Sequence, residues 1–119
     1  MFQKIKAVLY SFIKLAGLSP NKDIMKIIES KITIDTPIDK VWQILADFEN
    51  YHHWNPFTPK IELTKEIGTD VMLHVRLHPK SKNLIKQKET LLHWEEGKQM
   101  DWGITDAWYV RTVRTQYLK

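Results

Sequence analysis

Between Ile32 and Pro59 the spacing of apolar residues changes twice, and each change predicts an element. Ile32 and Ile34 alternate with Thr33 and Asp35, which places two β-branched side chains on one face of a strand. Pro37 can donate no ladder hydrogen bond and biases Thr36 away from helical angles, so the strand, begun at about Ile27, ends there. Asp35 or Thr36 then stands where a helix cap is needed. From Ile38 the period becomes helical. Ile38, Val41, Trp42 and Leu45 form one stripe, and Asp39, Lys40 and Gln43 fall opposite. Asp47-Phe48-Glu49-Asn50 closes this helix, Tyr51 to Trp54 make one further turn, and Asn55-Pro56 stops the chain again.

The rest of the chain reads mainly as strands. Lys60–Lys65 carries Ile61 and Leu63 on one face, and Ile67-Gly68-Thr69-Asp70 makes a turn. In Val71–His78, Val71, Leu73, Val75 and Leu77 alternate with Met72, His74, Arg76 and His78, the pattern of an antiparallel sheet with one wet face. After a polar loop at Pro79–Asn83, the strand Leu84–Trp94 has Leu84, Thr90, Leu92 and Trp94 in phase. Glu95-Glu96-Gly97-Lys98 turns into Gln99–Ile104, where Met100, Trp102 and Ile104 share a face. The last strand is predicted over Trp108–Leu118. At the other end, Phe2, Ile5, Val8, Leu9, Phe12, Ile13 and Ala16 fall on one broad helical face. Gly17 and Ser19-Pro20 then read as a helix stop, predicting an amphipathic helix over residues 1–20. Asn21–Met25 is a polar connector.

Composition narrows the class. The 119 residues, 43% apolar and 27% charged, suit one globular domain with a single core. Without cysteine there is no disulfide, thiolate chemistry or Cys-ligated zinc. The net charge of +4 is uneven. Lys4, Lys6, Lys14, Lys22 and Lys26 face only Asp23 in the first 26 residues, and beyond them 13 basic residues balance 13 acidic ones. A nucleic-acid groove would need that excess on the domain, interleaved with stacking aromatics, so nucleic acid is not an expected partner. The longest nearly apolar run, Ala7–Ile13, is far short of the roughly 20 residues of a membrane span. Residues 1–20 are expected to pack on the domain or a second copy, or to lie at an anionic membrane surface.

The series Ile34-Asp35-Thr36-Pro37-Ile38-Asp39-Lys40-Val41-Trp42, then Leu45-Ala46-Asp47-Phe48, Tyr51 and Trp54-Asn55-Pro56, resembles the opening of the START-like, Bet v 1-like superfamily. The nearest branch is the polyketide cyclase/dehydrase (SRPBCC) proteins, and Val110–Leu118 is similar to them as well. The resemblance covers about residues 27–119, with residues 1–20 added in front. It implies an α+β helix-grip fold: a curved antiparallel sheet, two short helices after its first strand, and an apolar cavity under a long C-terminal helix. Six strands are counted here, and no final strand or long helix follows Leu118. The N-terminal helix or a second subunit is therefore expected to cover the sheet.

No spacing demands catalysis or a metal. His52 and His53 would point apart on a helix, and His74 and His78 lie about 13 Å apart along a strand, too far for one zinc. Neither a cofactor nor a catalytic residue is assigned. Trp42, Trp94, Trp102 and Trp108 read as core or cavity lining, and Asn55 as satisfying backbone groups in its turn. Phase and resemblance together select Trp54, Phe57, Leu73, Val75, Leu92 and Trp102 as lining for a small hydrophobic ligand, a lipid or polyketide-like molecule, bound without catalysis. The alternatives are a cyclase/dehydratase-type enzyme using His93, His74 or an acid, and a membrane or protein-interaction module working through residues 1–20. Homo-oligomerisation stays open. A cytoplasmic location is expected, with membrane association as the variant.

Overall fold

The computed structural model describes residues 7–19, 22–107 and 110–119. Its frame is one seven-stranded antiparallel sheet. β1 (Ala7–Ser19) and β2 (Lys22–Ile34) form a long hairpin. The helix α1 (Ile38–Leu45) and a 3₁₀ turn (Phe48–His53) follow. Then come β3 (Lys60–Glu62), β4 (Asp70–Val75), β5 (Ile85–Glu95), β6 (Gln99–Ile104) and β7 (Val110–Leu118). The strand order is β2-β1-β7-β6-β5-β4-β3. This is the curved antiparallel sheet with few helices that the helix-grip resemblance implied.

The N-terminal helix is the chief correction. Residues 7–19 are a strand, not a helix, inserted between β2 and β7 with Leu9 opposite both Ile32 and Leu118. They therefore supply the seventh strand and cannot roof the sheet. A strand bonded on both edges can carry apolar side chains on both faces, and its apolar run then lacks strict alternation. Val8, Leu9, Phe12 and Ile13 provide such a run, and three- and four-residue spacings within it imitate a helix. Gly17, read as a helix stop, sits inside the ladder opposite Val110. The polar connector is likewise strand from Lys22 onward. Met1 to Lys6, Pro20, Asn21 and Trp108, which carried part of the predicted helix, connector and last strand, lie outside the described residues.

The two-helix segment follows its sequence closely. The Ile34 carbonyl accepts from Thr36 N, and the Pro37 carbonyl accepts the first helical bond from Val41 N at 3.2 Å. Pro37, not Asp35 or Thr36, thus occupies the cap position, and no side-chain cap forms. Its fixed φ of −58° suits that place, one residue later than the polar pair could serve. Val41, Trp42 and Leu45 are buried as the stripe required. The next turn starts at Phe48, three residues earlier than expected, and its buried Tyr51 donates its hydroxyl proton to the Leu45 carbonyl. Burial pushes the Tyr51 pKa well above its ordinary value. Asn55 Oδ1 accepts from the backbone N–H groups of Phe57 and Thr58, the local role expected of it.

α1 and the 3₁₀ turn lie on one face of the sheet, called here the inner face. Register places Val71, Leu73 and Val75 there beside Glu89, Gln87 and Ile85. Met100 and Trp102 share that face, opposite Gln116 and Arg114. The core is concentrated at the helical end: Ala7, Leu91, Met100, Trp102 and Leu118 are at most 3% exposed beneath Trp42 and Leu45. Phe48 packs edge-on to Trp102 at 6.2 Å and Trp42 edge-on to Trp94 at 5.4 Å.

A β-bulge corrects the phase of β5. Leu91 pairs with Trp102, yet Trp94 pairs with Met100, so an extra residue is absorbed between Leu91 and His93. Fully buried Leu91, rather than Leu92, joins the inner core. The predicted strand 71–78 ends at Val75, and Leu77 is exposed. At Gly103, β7 comes so close that a Cβ would stand 1.8 Å from the Thr112 carbonyl oxygen, a position only glycine fills.

Candidate functional site

One carboxylate holds the helical end closed. Glu96, in the hairpin between β5 and β6, accepts from Trp42 Nε1 through Oε1 and from Trp94 Nε1 through Oε2, each at 2.9 Å. A helix residue and a strand residue are thereby tied to one anion. The two indole bonds hold the Glu96 carboxyl below the usual carboxylate range. Lys65, whose Nζ stands 5.3 Å over the Trp94 ring, adds to this. Gly97, with φ of +79°, makes the tight turn that brings Glu96 over both indoles.

Away from α1 the inner face is open and more polar. Ile13, Gln87, Glu89, Thr112 and Arg114 surround a hollow of about 180 Å³. A second hollow, about 340 Å³, lies between the 3₁₀ turn and β3 and is lined by Phe48, His52, Ile61 and Leu84 among others. The two flank one row of the sheet, because Ile61 pairs with Leu73 and Leu73 with Gln87. Leu73, between them, is only 2% exposed, so the two hollows lie on either side of covered core.

The chemistry of this surface is mixed. Glu89 is only 8% exposed, and burial raises its pKa, while the Arg114 charge and a 2.9 Å hydrogen bond from Gln87 Nε2 pull the other way. Among the described residues the Arg114 guanidinium has no carboxylate within ion-pair distance. Beside it in register, Trp102 Nε1 is a buried donor without a partner, and on the next row Gln116 Oε1 is a buried acceptor without one. Unpaired polar atoms in a packed interior cost free energy. Apolar Ile28, Ile32 and Ile85 on the same face are about half exposed.

Of the six residues selected from sequence, Leu73, Val75 and Trp102 share this face, and Leu73 and Trp102 are its buried floor. Trp54 and Phe57 are 46% and 53% exposed in the loop beyond the 3₁₀ turn, apart from the two hollows. Leu92 lies in the bulge, out of phase with the inward Leu91 and Trp94. Gln87, Glu89, Thr112 and Arg114 were not found by sequence reasoning, because polar residues alternating in a strand read as its wet side. Their phase with Leu91 and Leu118 was the available signal.

His74 and His93 stand on the outer face. His74 is paired in register with Lys60 and Lys86 and lies 3.3 Å from Glu62; His93 is opposite Asp101. The His74 bond, then Lys60, lowers the Glu62 pKa. The rings of His52 and His53 do not point apart but pack 4.0 Å centroid to centroid. Among the described residues no cluster of three His, Asp or Glu could hold a metal ion. The outer face also carries a groove of about 460 Å³ between Phe12, Lys14, Ile27, Glu29, Asp101, Val113 and Thr115. No helix of the described residues is long and apolar enough to cross a membrane.

Comparison with known families places this architecture. The model of the family described as polyketide cyclase / dehydrase and lipid transport matches residues 25–118, from within β2 to the end of β7. No curated protein and no solved structure matches the chain. With the family match covering α1, the 3₁₀ turn and six of the seven strands, the chain belongs to the polyketide cyclase/dehydrase and lipid transport family, of the START-like, Bet v 1-like (SRPBCC) superfamily.

Proposed function

We propose that this chain binds a small hydrophobic molecule with an oxygen-bearing polar end along the inner face, without catalysing a reaction on it. The observation that carries this reading is the hollow between Glu89 and Arg114, with the unpartnered Trp102 Nε1 in register with Arg114, beside half-exposed isoleucines. Apolar walls give affinity and a few convergent polar groups fix orientation. Arg114 donates to the ligand's oxygen, and the tail lies along Ile13 and the half-exposed isoleucines. The family description, which includes lipid transport, supports the same class of ligand. Against the enzyme alternative, His74 and His93 both face away from this surface.

The test uses 8-anilinonaphthalene-1-sulfonate, an amphipathic anion, with dodecanoate as competitor. Wild-type chain should enhance its fluorescence and lose the signal to dodecanoate. Arg114→Gln should weaken binding about tenfold, the loss of one charge-assisted bond. Equal binding by wild type, Arg114→Gln and Ile13→Glu would refute the site.

A further inference from the structure

β2 is the outer strand at one side of the sheet, and its register with β1 runs through 13 consecutive pairs without a bulge. Among the described residues nothing pairs with its free edge. A long, flat, partly apolar edge is a template for another strand, and folds that avoid this use bulges, prolines or very short edges. The opposite edge is such a case, since β3 has three residues. Over Lys26–Ile34 β2 has no bulge or proline; its protection is charge alone, from Lys26, Glu29 and Lys31, which an oppositely charged strand can match, and Ile27, Ile28 and Ile32 are 48–56% exposed.

We infer that two copies of this chain pair through β2, antiparallel about a two-fold axis at Ser30, forming one continuous fourteen-stranded sheet. The occupant of the edge is specified by its charges. With the axis at Ser30, Glu29 of each copy stands directly opposite Lys31 of the other, giving two opposite-charge pairs on the outer face. On the inner face Ile28 stands opposite Ile32 of the other copy, twice. Nine residues, Lys26 to Ile34, overlap, enough for about eight inter-strand hydrogen bonds.

Neighbouring registers are penalised. Moving the axis to residue 29 sets Glu29 against Glu29, and moving it to residue 31 sets Lys31 against Lys31. Directly opposed like charges destabilise a strand pair, so the sequence discriminates against slippage in both directions. An axis perpendicular to the sheet keeps both inner faces on the same side, and the self-complementary patch is that of an isologous dimer. Ile28 and Ile32 gain cover at the seam. The pairing uses no residue lining the Glu89–Arg114 hollow, though it covers Ile28 and Ile32 beside it, and its tests read subunit association rather than ligand binding.

Because the chain has no cysteine, Ser30→Cys introduces a single thiol. Across the axis two such residues have Cα atoms about 4.5–5.5 Å apart, within disulfide reach. Oxidation should give a cross-linked dimer with Ser30→Cys and none with Thr33→Cys, which is not opposite itself. In sedimentation velocity the wild type should be a dimer. Lys31→Glu should raise the dissociation constant about tenfold, and Glu29→Lys with Lys31→Glu together should restore it. That double variant separates lost pairing from the lost contact of Lys31 Nζ, 5.5 Å over the Tyr10 ring. A wild-type monomer, equal cross-linking at residues 30 and 33, or a double variant no better than Lys31→Glu would each overturn the inference.

Discussion

Three residues carry more of this fold than their surroundings suggest. Glu96 is the first, because its two indole bonds tie α1 to β5. Glu96→Ala leaves the 5%-exposed Trp42 with an unmatched N–H and should cost roughly 1–2 kcal/mol in denaturant unfolding. Folding lowers the pKa of this carboxyl. Its contribution is therefore complete at neutral pH and fades as pH falls below about 4, so the difference between wild type and Glu96→Gln should shrink there. Glu89 has the opposite sign. Burial raises its pKa, so the folded state binds its proton more tightly than the unfolded chain, and the carboxyl opposes folding as pH rises above about 4.3. Glu89→Gln should raise the melting temperature at pH 7 and have less effect at pH 4; a lower melting temperature at pH 7 would show that Arg114 and Gln87 outweigh burial. Gly103 is the third. With the Thr112 carbonyl 1.8 Å from a Cβ there, Gly103→Ala should destabilise by more than about 2 kcal/mol, measured by urea unfolding.

At the scale of elements, legibility followed the clarity of the period. The stretch Ile32–Pro59 could be read because alternation, Pro37 and a three-four stripe follow one another in order, and α1 buries the stripe. β1 could not, since a strand held on both edges with apolar groups on both faces has lost the two-residue period that identifies strands. Its place yields a direct check. The amides of Leu9 to Gly17 should exchange with deuterium as slowly as those of Val110–Leu118, whereas a peripheral basic helix would exchange fast. The bulge in β5 left no such trace. Neither Leu91 nor Leu92 is distinguishable by type, and only the partners Trp102 and Met100 reveal which one turns inward. The same limit hid Glu89 and Arg114, polar residues whose inward facing is fixed by register with Val71 and Trp102.

For the whole molecule the asymmetry of the inner face is the central fact. Its helical end is filled by Trp42, Trp94, Phe48 and Leu45 over buried Met100 and Trp102, and its other end keeps exposed isoleucines around a buried acid and an arginine. Packing explains the first half and gives no reason for the second. A guest with an apolar body and an oxygen-bearing end would satisfy it. The most direct measurement is a ¹⁵N–¹H NMR titration with dodecanoate. The largest shifts should fall on the Gln87, Glu89, Thr112 and Arg114 amides and on the Trp102 indole. Shifts confined to the outer face around Phe12 and Thr115, or none at all, would contradict it.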